Sequence, residues 1–268
     1  MDFKDLFPTR KPVIACIHLL PLPGAPRYQG NMRQVYDTAL AEAAIFQRYP
    51  IDGLIVENYR DAPFYPHQLP PETVAALAAV TREVVHVARL PVGVNALRHD
   101  AQAAMAIATA SQAAFIRVNV HMGAVISDQG IMQGMSHETL RLRAALRSAV
   151  LIFTDVGVKH ATPLGDRGLE LETRDLSERG LVDAIIVSGV WTGAETSPDD
   201  IVLVRQHTAL PVLLGSGATP ENLSKVYDKV DGLIVGSTFK QDGQAGNLVE
   251  EGRVKAFTEA RQALENPL

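Results

Sequence analysis

Ionisable and amide side chains recur where short apolar segments of this sequence end. Carboxylates that come from different segments can serve one ligand as general acid and general base, while histidine and amide groups orient its hydroxyls. We therefore expect three catalytic residues, namely Glu57, Asp155 and His18. The same positions and their neighbours supply the expected substrate-binding residues, which are Asn58, Asn95, Asn119, His121, Lys159 and Ser188.

Glycine–serine pairs close the last two apolar segments. The first is followed by Gly215-Ser216-Gly217 and the second by Gly236-Ser237. Glycines let backbone N–H groups approach a ligand closely. Thr219 followed by Pro220 predicts a helix start beyond the first pair, and a helix N-terminus favours an anion. We expect these five glycine and serine residues to bind a phosphate group.

Eight segments of the chain are predicted to be strands. They are rich in Val and Ile without alternation, which is typical of parallel strands that are covered on both faces. Amphipathic helical patterns separate them. Asn31 can cap one such helix, whose apolar stripe is Val35, Ala39, Ala43 and Phe46, and another is predicted over 136–149 with Ser136 as its cap. The predicted strands are 13–18, 53–57, 92–95, 115–119, 151–155, 184–188, 212–215 and 232–235. Strands that alternate with helices form a parallel sheet, and eight evenly spaced units favour closure over an open doubly wound sheet. The sequence predicts one α/β domain over 1–268, a (β/α)8 TIM barrel with a core over about 12–264, in which the phosphate loops follow strands 7 and 8.

The connections of the predicted barrel are long on one side only. Five strand-to-helix links are long, namely 19–30, 58–70, 120–135, 156–168 and 236–248, whereas the links that lead back to the strands are short. The site of a TIM barrel lies on its strand-to-helix loops, so this asymmetry indicates a working site.

Other roles for these polar residues stay open at this point. His18, Glu57, His121 and Asp155 have the ligand types for a divalent metal, which is a possible cofactor, but they lack a compact ligand spacing. Glu57 or Asp155 could instead pair with Arg98, Arg117 or Lys159. We expect Arg117 beneath the site in a structural ion pair, because a charge inside a buried strand needs a partner. Cys16 lies on the same face of the first predicted strand as His18, and its apolar neighbours suggest that it packs in the apolar core.

The composition excludes several classes of protein. A net charge of −5 over 268 residues argues against a nucleic-acid-binding surface, and a single cysteine excludes an intramolecular disulfide. No apolar run is long enough to cross a bilayer, so we predict no integral membrane segment. These features predict a cytoplasmic protein, with peripheral membrane association left open. Because dimers are the commonest symmetric assembly, a homo-oligomer is expected.

The chain resembles the BtpA/SgcQ family from about Pro12 to Ala263. The resemblance lies in His18-Leu19-Leu20-Pro21-Leu22-Pro23-Gly24, in Glu57-Asn58 with Asp61-Ala62-Pro63-Phe64, and in Pro91-Val92-Gly93-Val94-Asn95. It continues through Phe115-Ile116-Arg117-Val118-Asn119, Asp128-Gln129-Gly130, Lys159-His160-Ala161 and both glycine–serine loops. His99 departs from the family pattern, in which an asparagine is expected. The resemblance implies a barrel of the ribulose-phosphate-binding type, and the family takes its name from photosystem I biogenesis.

Three functions are consistent with these observations. The first is an enzyme that acts on a phosphorylated sugar or a nucleotide-like small molecule, by isomerisation, epimerisation, aldol cleavage or glycosidic cleavage. The second is a non-catalytic assembly or stability factor, as the family name suggests. The third is a metal-dependent hydrolase of phosphate esters. The fold alone does not choose among them.

Overall fold

The computed structural model describes residues 1–9, 11–165, 167–189 and 191–266, and its centre is a closed barrel of eight parallel strands. Numbered in chain order among all strands, the barrel strands are β1 (Val13–His18), β2 (Gly53–Glu57), β3 (Val92–Asn95), β4 (Phe115–Val118), β7 (Leu151–Val156), β9 (Ala184–Val187), β10 (Val212–Leu214) and β11 (Gly232–Val235). The barrel closes where β1 pairs with β11 on one side and β2 on the other. The predicted TIM barrel is confirmed, and each predicted strand is present with its ends correct to within one residue.

Helices cover the outside of the barrel. They are α1 (Phe3–Leu6), α2 (Met32–Phe46), α3 (Pro71–Val87), α4 (Ala101–Ser111), α5 (Ser136–Ala145), α6 (Gly168–Glu178), α7 (Pro198–Gln206), α8 (Leu223–Val226) and α9 (Glu251–Glu265). The apolar stripe of α2 packs against the strands, and its members Val35, Ala39, Ala43 and Phe46 are all buried. The side chain of Asn31 accepts from the N–H of Gln34, which confirms its predicted capping role.

Two helix predictions were wrong. The helix expected from Pro220 starts only at Leu223 and has four residues; Thr219 and Asn222 instead form a capped turn, in which the Asn222 N–H donates to Thr219 Oγ1. The helix predicted over 136–149 ends at Ala145, and Ser136 is its first helical residue rather than its cap. Short-range turn hydrogen bonds satisfy the backbone before α8 begins and after α5 ends.

A small antiparallel sheet that the sequence did not reveal covers one side of the barrel mouth. It consists of β5 (Ala124–Ser127), β6 (Gly130–Gln133) and β8 (Ala161–Pro163), in the order β6–β5–β8. Its strands lie within two of the long loops that were predicted to carry the site. The strands have only three or four residues each, so their alternation is too brief to stand out in the sequence.

Aromatic side chains fill the opposite, N-terminal end of the barrel. Phe3 and Phe7, from the segment that contains α1, pack on the barrel-interior rings of Phe153 and Phe115, with centroid separations of 5.6 and 6.0 Å. A Cβ atom on Gly93 would lie 2.1 Å from the Phe115 ring, so the glycine gives this ring its space. Within the described residues, these rings therefore fill the barrel at this end.

A buried ion pair lies between this apolar plug and the mouth. The guanidinium of Arg117 on β4 donates to both carboxylate oxygens of Asp155 on β7, at 2.9 and 2.8 Å. Burial opposes the ionisation of Asp155, but the charge and hydrogen bonds of Arg117, together with Lys159 and Ser188, lower the pKa of the carboxyl below its usual value. The predicted ion pair of Arg117 is present, and Asp155 is its partner.

The ion pair predicts a pH-dependent contribution to stability. Asp155→Asn removes the two hydrogen bonds between charged groups and leaves the buried guanidinium with only the Glu57 carboxylate at 3.7 Å, so the free energy of unfolding at pH 7 should fall by about 3 kcal/mol. Because the pKa is lowered in the folded state, this contribution is present above the unfolded carboxyl pKa and is lost as the pH falls through the folded one. Urea unfolding of the variant and the unmodified protein, at pH 7 and below about pH 4, measures the contribution of the pair to the free energy of unfolding at each pH.

The matched control is Asp37→Asn, which breaks an exposed pair with Arg33 on α2. Exposed pairs contribute at most about 1 kcal/mol. A loss in Asp155→Asn no larger than that of the control would contradict a stabilising role for the buried pair.

A second buried ion pair fastens the loop after β11 to α2. Lys240 Nζ donates to Glu42 Oε2 at 2.8 Å, and the N–H of Val249 donates to Glu42 Oε1 at 3.1 Å. The Lys240 side chain has no exposed surface, so it does not reach a ligand at the mouth.

Lys240→Met tests this fastening. The change leaves the Glu42 carboxylate buried without an ion pair within 4 Å among the described residues, so we expect the free energy of unfolding to fall by about 3–5 kcal/mol. Lys255→Met, which removes an exposed pair with Glu259, is the control and should change it by less than about 1 kcal/mol. Equal effects in urea unfolding would show that the pair contributes nothing.

Candidate functional site

A pocket opens at the C-terminal ends of the barrel strands. Its walls contain most of the residues that the sequence predicted for the site, namely His18, Glu57, Asn95, Asn119, Lys159, Gly215, Ser216, Gly217, Gly236 and Ser237. Further walls come from residues that sequence reasoning did not assign to the ligand, among them Cys16, Tyr59, Phe64, Leu97, Arg98, Arg117, Thr192, Gly193 and Thr238. Side chains at strand ends and backbone from the loops therefore face one space.

His18 and Glu57 form the deep wall of the pocket. They are paired in register on β1 and β2, and His18 Nε2 lies 3.6 Å from Glu57 Oε2. His18 Nδ1 donates to the carbonyl oxygen of Ala245 at 2.8 Å, and the ring of Tyr59 stacks on the imidazole at 4.4 Å. Burial, together with the nearby charge of Lys240, lowers the pKa of His18 well below its ordinary value. The imidazole is therefore neutral, and its Nε2 carries a lone pair.

A polar network fixes the groups beside this wall. Asn95 Nδ2 donates to Glu57 Oε1 at 3.1 Å, and Arg117 Nη1 lies 3.7 Å from the same oxygen. Asn119 Nδ2 donates to Asp155 at 3.2 Å. The Oδ1 atom of Asn119 has no hydrogen-bond partner among the described residues, although the residue is 4 % exposed and lines the pocket. An acceptor is thus available there for a hydroxyl or N–H group of a ligand.

The two glycine–serine loops also line the pocket, and Gly236 of the second loop adjoins His18. Gly217 has a φ of +77°, and a Cβ atom there would lie 2.2 Å from the carbonyl oxygen of Ala194, so only glycine fits. Ser216 Oγ is occupied, because it accepts from the Gly189 N–H at 3.0 Å. Within the described ranges, the backbone N–H groups of Ser216, Gly217 and Ser237 donate no hydrogen bond, and all three residues line the pocket.

Two cationic side chains face the pocket. Arg98 is 7 % exposed and donates through Nη2 to the carbonyl oxygen of Lys159 at 2.5 Å, whereas its Nε has no partner in the described part of the chain. Burial and the adjacent Arg117 lower the pKa of Lys159 to about 8. In the same part of the chain neither Arg98 nor Lys159 forms an ion pair with a carboxylate. Both can therefore meet an anionic ligand.

Four predicted residues do not line this pocket. Asn58 is fully buried and binds the backbone of Leu97, so it holds the loop that carries Arg98. Asp155 is held by Arg117, and Ser188 donates to it at 3.0 Å. His121 turns outward, where its Nε2 donates to the carbonyl oxygen of Gly180. The prediction that His121 joins the site is not supported by its position, because side-chain direction three residues beyond the end of β4 does not follow the strand alternation.

Most of the pocket residues that the sequence did not predict lie in loops. Arg98 was considered only as an ion-pair partner, and Tyr59 and Thr192 carried no pattern that distinguished them. Cys16 did carry a signal, since it lies two residues before His18 and faces the same side of β1. With His18 and Glu57 it forms the group within the described ranges whose nitrogen, sulfur and oxygen atoms are close enough to bind one metal ion.

No helix within the described residues combines the length and the apolar character that a bilayer-spanning segment needs.

Comparisons with solved structures show the fold. N-(5'-phosphoribosyl)anthranilate isomerase from Pyrococcus furiosus is similar with a TM-score of 0.57 and 16% identity, over 94% of this chain and 98% of that one. A structure described as native KDPGal is similar with a TM-score of 0.60 and 16% identity, over 99% of this chain and 100% of that one. At these identities the likeness concerns the barrel alone.

Comparisons of sequence show the family of this chain. The protein known as photosystem I biogenesis protein BtpA in Synechocystis sp. is 42% identical over 261 residues, which cover 97% of this chain and 91% of that protein. An uncharacterized protein of Thermococcus kodakarensis is 41% identical over 264 residues, or 98% of each chain. The family model described as the BtpA family matches residues 9–263. This chain belongs to the BtpA family.

Proposed function

We propose that the protein is an enzyme that acts on a phosphorylated sugar or a nucleotide-like small molecule in the pocket at the barrel mouth. The observation that carries the proposal is the charge of this pocket. Arg98 and Lys159 face it without carboxylate partners among the described residues, opposite two loops whose backbone N–H groups are unused. A phosphate group satisfies both sets of donors.

The glycine–serine loops are the proposed phosphate site. Gly215, Ser216 and Gly217 follow the seventh barrel strand, and Gly236 and Ser237 follow the eighth, which is the usual place for phosphate in this fold. Backbone donors in a fixed arrangement bind an anion without the entropy loss of ordering a long side chain. Arg98 and Lys159 add positive charge around the same ligand.

The rest of the ligand then extends towards Glu57 and His18. Glu57 Oε1 is fixed by Asn95, which leaves Oε2 directed at the space beside His18. Glu57 is the carboxylate placed to serve the reacting group, as a general base or by stabilising positive charge. Asn119 and Asn95 orient hydroxyl groups. Asp155, which we expected to transfer protons, is better suited to positioning Arg117, because Arg117, Asn119 and Ser188 all donate to it.

A second function rests on the name of the Synechocystis relative. A factor for photosystem biogenesis would work by contact with another protein, and the hairpin of β5 and β6 presents the cross-strand pair Ile126 and Ile131, which are 48 and 57 % exposed. This function needs no polar pocket, so it leaves Glu57, Arg98 and Asn119 without a role. The enzyme proposal accounts for them.

Thermal unfolding with added ligands tests the phosphate site. We expect one or more compounds among sugar phosphates, nucleotides and inorganic phosphate to raise Tm. A ligand at ~100 times its Kd stabilises the native state by about 2.7 kcal/mol, which is several degrees for a domain of this size. Ser237→Asp puts a carboxylate between the two loops and should abolish the shift through charge repulsion.

Ser224→Asp is the matched control for this experiment. Ser224 lies exposed on α8, outside the pocket, so the variant has the same change of charge without the repulsion. The control should keep the full shift. No shift of the unmodified protein with any phosphorylated compound, or equal loss in both variants, would contradict the phosphate site and favour the assembly factor.

Glu57→Gln tests the reaction centre once a ligand is known. The amide keeps the size of the side chain but neither accepts a proton nor carries a charge, so kcat should fall by about 10²–10⁴-fold while Kd changes little. Single-turnover kinetics and calorimetric titration measure the two values. A variant that retains full kcat would remove Glu57 from the reaction.

A further inference from the structure

Three side chains of types that bind metals converge at the deep wall of the pocket. Cys16 and His18 lie on the same face of β1, and Glu57 lies opposite His18 on β2. One ligand atom from each residue lies within 4.8 Å of the others, and all three residues are at most 5 % exposed. Neither the family match nor the similar proteins assign this cluster a role.

The orientation of His18 is that of a metal ligand. A carbonyl oxygen only accepts, so the 2.8 Å bond to Ala245 places the proton on Nδ1 and leaves the lone pair on Nε2. This lone pair faces the cluster, 3.6 Å from Glu57 Oε2, where two acceptors cannot bond to each other. Histidines that bind metals are held in the same way, by a hydrogen bond from the opposite ring nitrogen to a carbonyl or carboxylate.

The surroundings of the cluster leave room for an ion. The end of β11 contributes Gly236 here, and a Cβ atom on it would lie 3.2 Å from His18 Cε1 and 3.5 Å from Cys16 Sγ. Asn95 and Arg117 engage only Oε1 of Glu57, so Oε2 remains available. The pair with Asp155 largely offsets the charge of Arg117, which would otherwise repel a cation.

We propose that Cys16 Sγ, His18 Nε2 and Glu57 Oε2 bind one zinc ion whose fourth position opens into the pocket. Sulfur, nitrogen and oxygen ligands together suit zinc, whereas magnesium and calcium prefer oxygen alone. Tetrahedral bonds of about 2.0–2.3 Å set the ligand atoms roughly 3.3–3.8 Å apart, and the His18–Glu57 separation falls in that range. Three protein ligands and one open position are typical of catalytic zinc sites rather than structural ones.

Binding has a defined proton balance. Zinc binds cysteine as the thiolate, so the Cys16 thiol loses its proton when the ion binds. Zinc displaces this proton to solvent and binds the thiolate, and no oxidant or reductant is needed. The open position can then polarise a carbonyl or phosphoryl oxygen of the ligand. As a reaction centre the site rests on the proposed function, with Glu57 acting through the bound ion instead of as a free base, but zinc binding is measured without any substrate.

Equilibrium dialysis of the chelator-treated full chain against zinc, followed by elemental analysis, tests the site. We expect one zinc per chain in the unmodified protein and affinity at least about ten-fold weaker in Cys16→Ser and in His18→Gln. His207→Gln is the matched control, because His207 also bonds a backbone carbonyl, that of Leu203, but lies on the outside of the barrel. It should bind like the unmodified protein.

Cobalt(II) in place of zinc identifies the ligands directly. We expect a thiolate-to-cobalt charge-transfer band and the intense visible bands of tetrahedral cobalt, with the charge-transfer band lost in Cys16→Ser and kept in His207→Gln. Zinc content below one per chain, or unchanged affinity in both cluster variants, would overturn the proposal. If Cys16→Ser does not fold, the spectrum of the unmodified protein with cobalt is the test. Bound cobalt without a thiolate-to-cobalt charge-transfer band would contradict the site. A protein that binds zinc but responds to no phosphorylated compound would refute the proposed substrate class and leave the metal site standing.

Discussion

The guanidinium of Arg117 lies between two carboxylates at the centre of the barrel, and the arrangement of the mouth depends on it. It makes two hydrogen bonds to Asp155 and lies 3.7 Å from Glu57, so it links β4 to β7 and β2. A charge at this depth is tolerated only when it is paired and hydrogen-bonded. Asp155 in turn accepts from Asn119 and Ser188, so both side chains are fixed by the same pair. The polar layer is thus a single network, and it separates an apolar plug below from a ligand pocket above.

Residues of similar type also have different roles, depending on the partners that they contact. Asp155 is occupied on both oxygens, whereas Glu57 keeps one oxygen directed at the pocket. Lys240 is buried against Glu42, whereas Lys159 lines the pocket without a carboxylate partner in the part of the chain that the structure describes. His121 bonds Gly180 on the outside, whereas His18 faces inward with a free lone pair. In each pair the partner taken up during folding, and not the intrinsic chemistry of the side chain, decides which residue remains available to a ligand.

A pocket of this kind combines two sources of binding. The glycine–serine loops offer backbone donors that are held rigidly, since Gly217 fits against Ala194 without any side chain. Arg98 and Lys159 offer charge from loops. A phosphate held at one end would position the remainder of a small molecule against Glu57 and His18, which is how binding energy lowers the entropic barrier to reaction. The proposed zinc ion would lie at that second end, where an electrophile is useful.

The sequence by itself determined the barrel and the position of its two glycine–serine loops, because both depend on local patterns. Buried parallel strands need apolar β-branched runs, and backbone that approaches a ligand or another loop needs glycine, so these features can be read without knowing their neighbours.

Only the tertiary structure decided which polar side chains meet. The pairing of Arg117 with Asp155 and the convergence of Cys16, His18 and Glu57 depend on strand register, which is set across the closed barrel. The outward turn of His121 and the contribution of Arg98 depend on loop conformation. Such contacts join residues that are tens of positions apart, and a linear pattern carries no information about the distance between them.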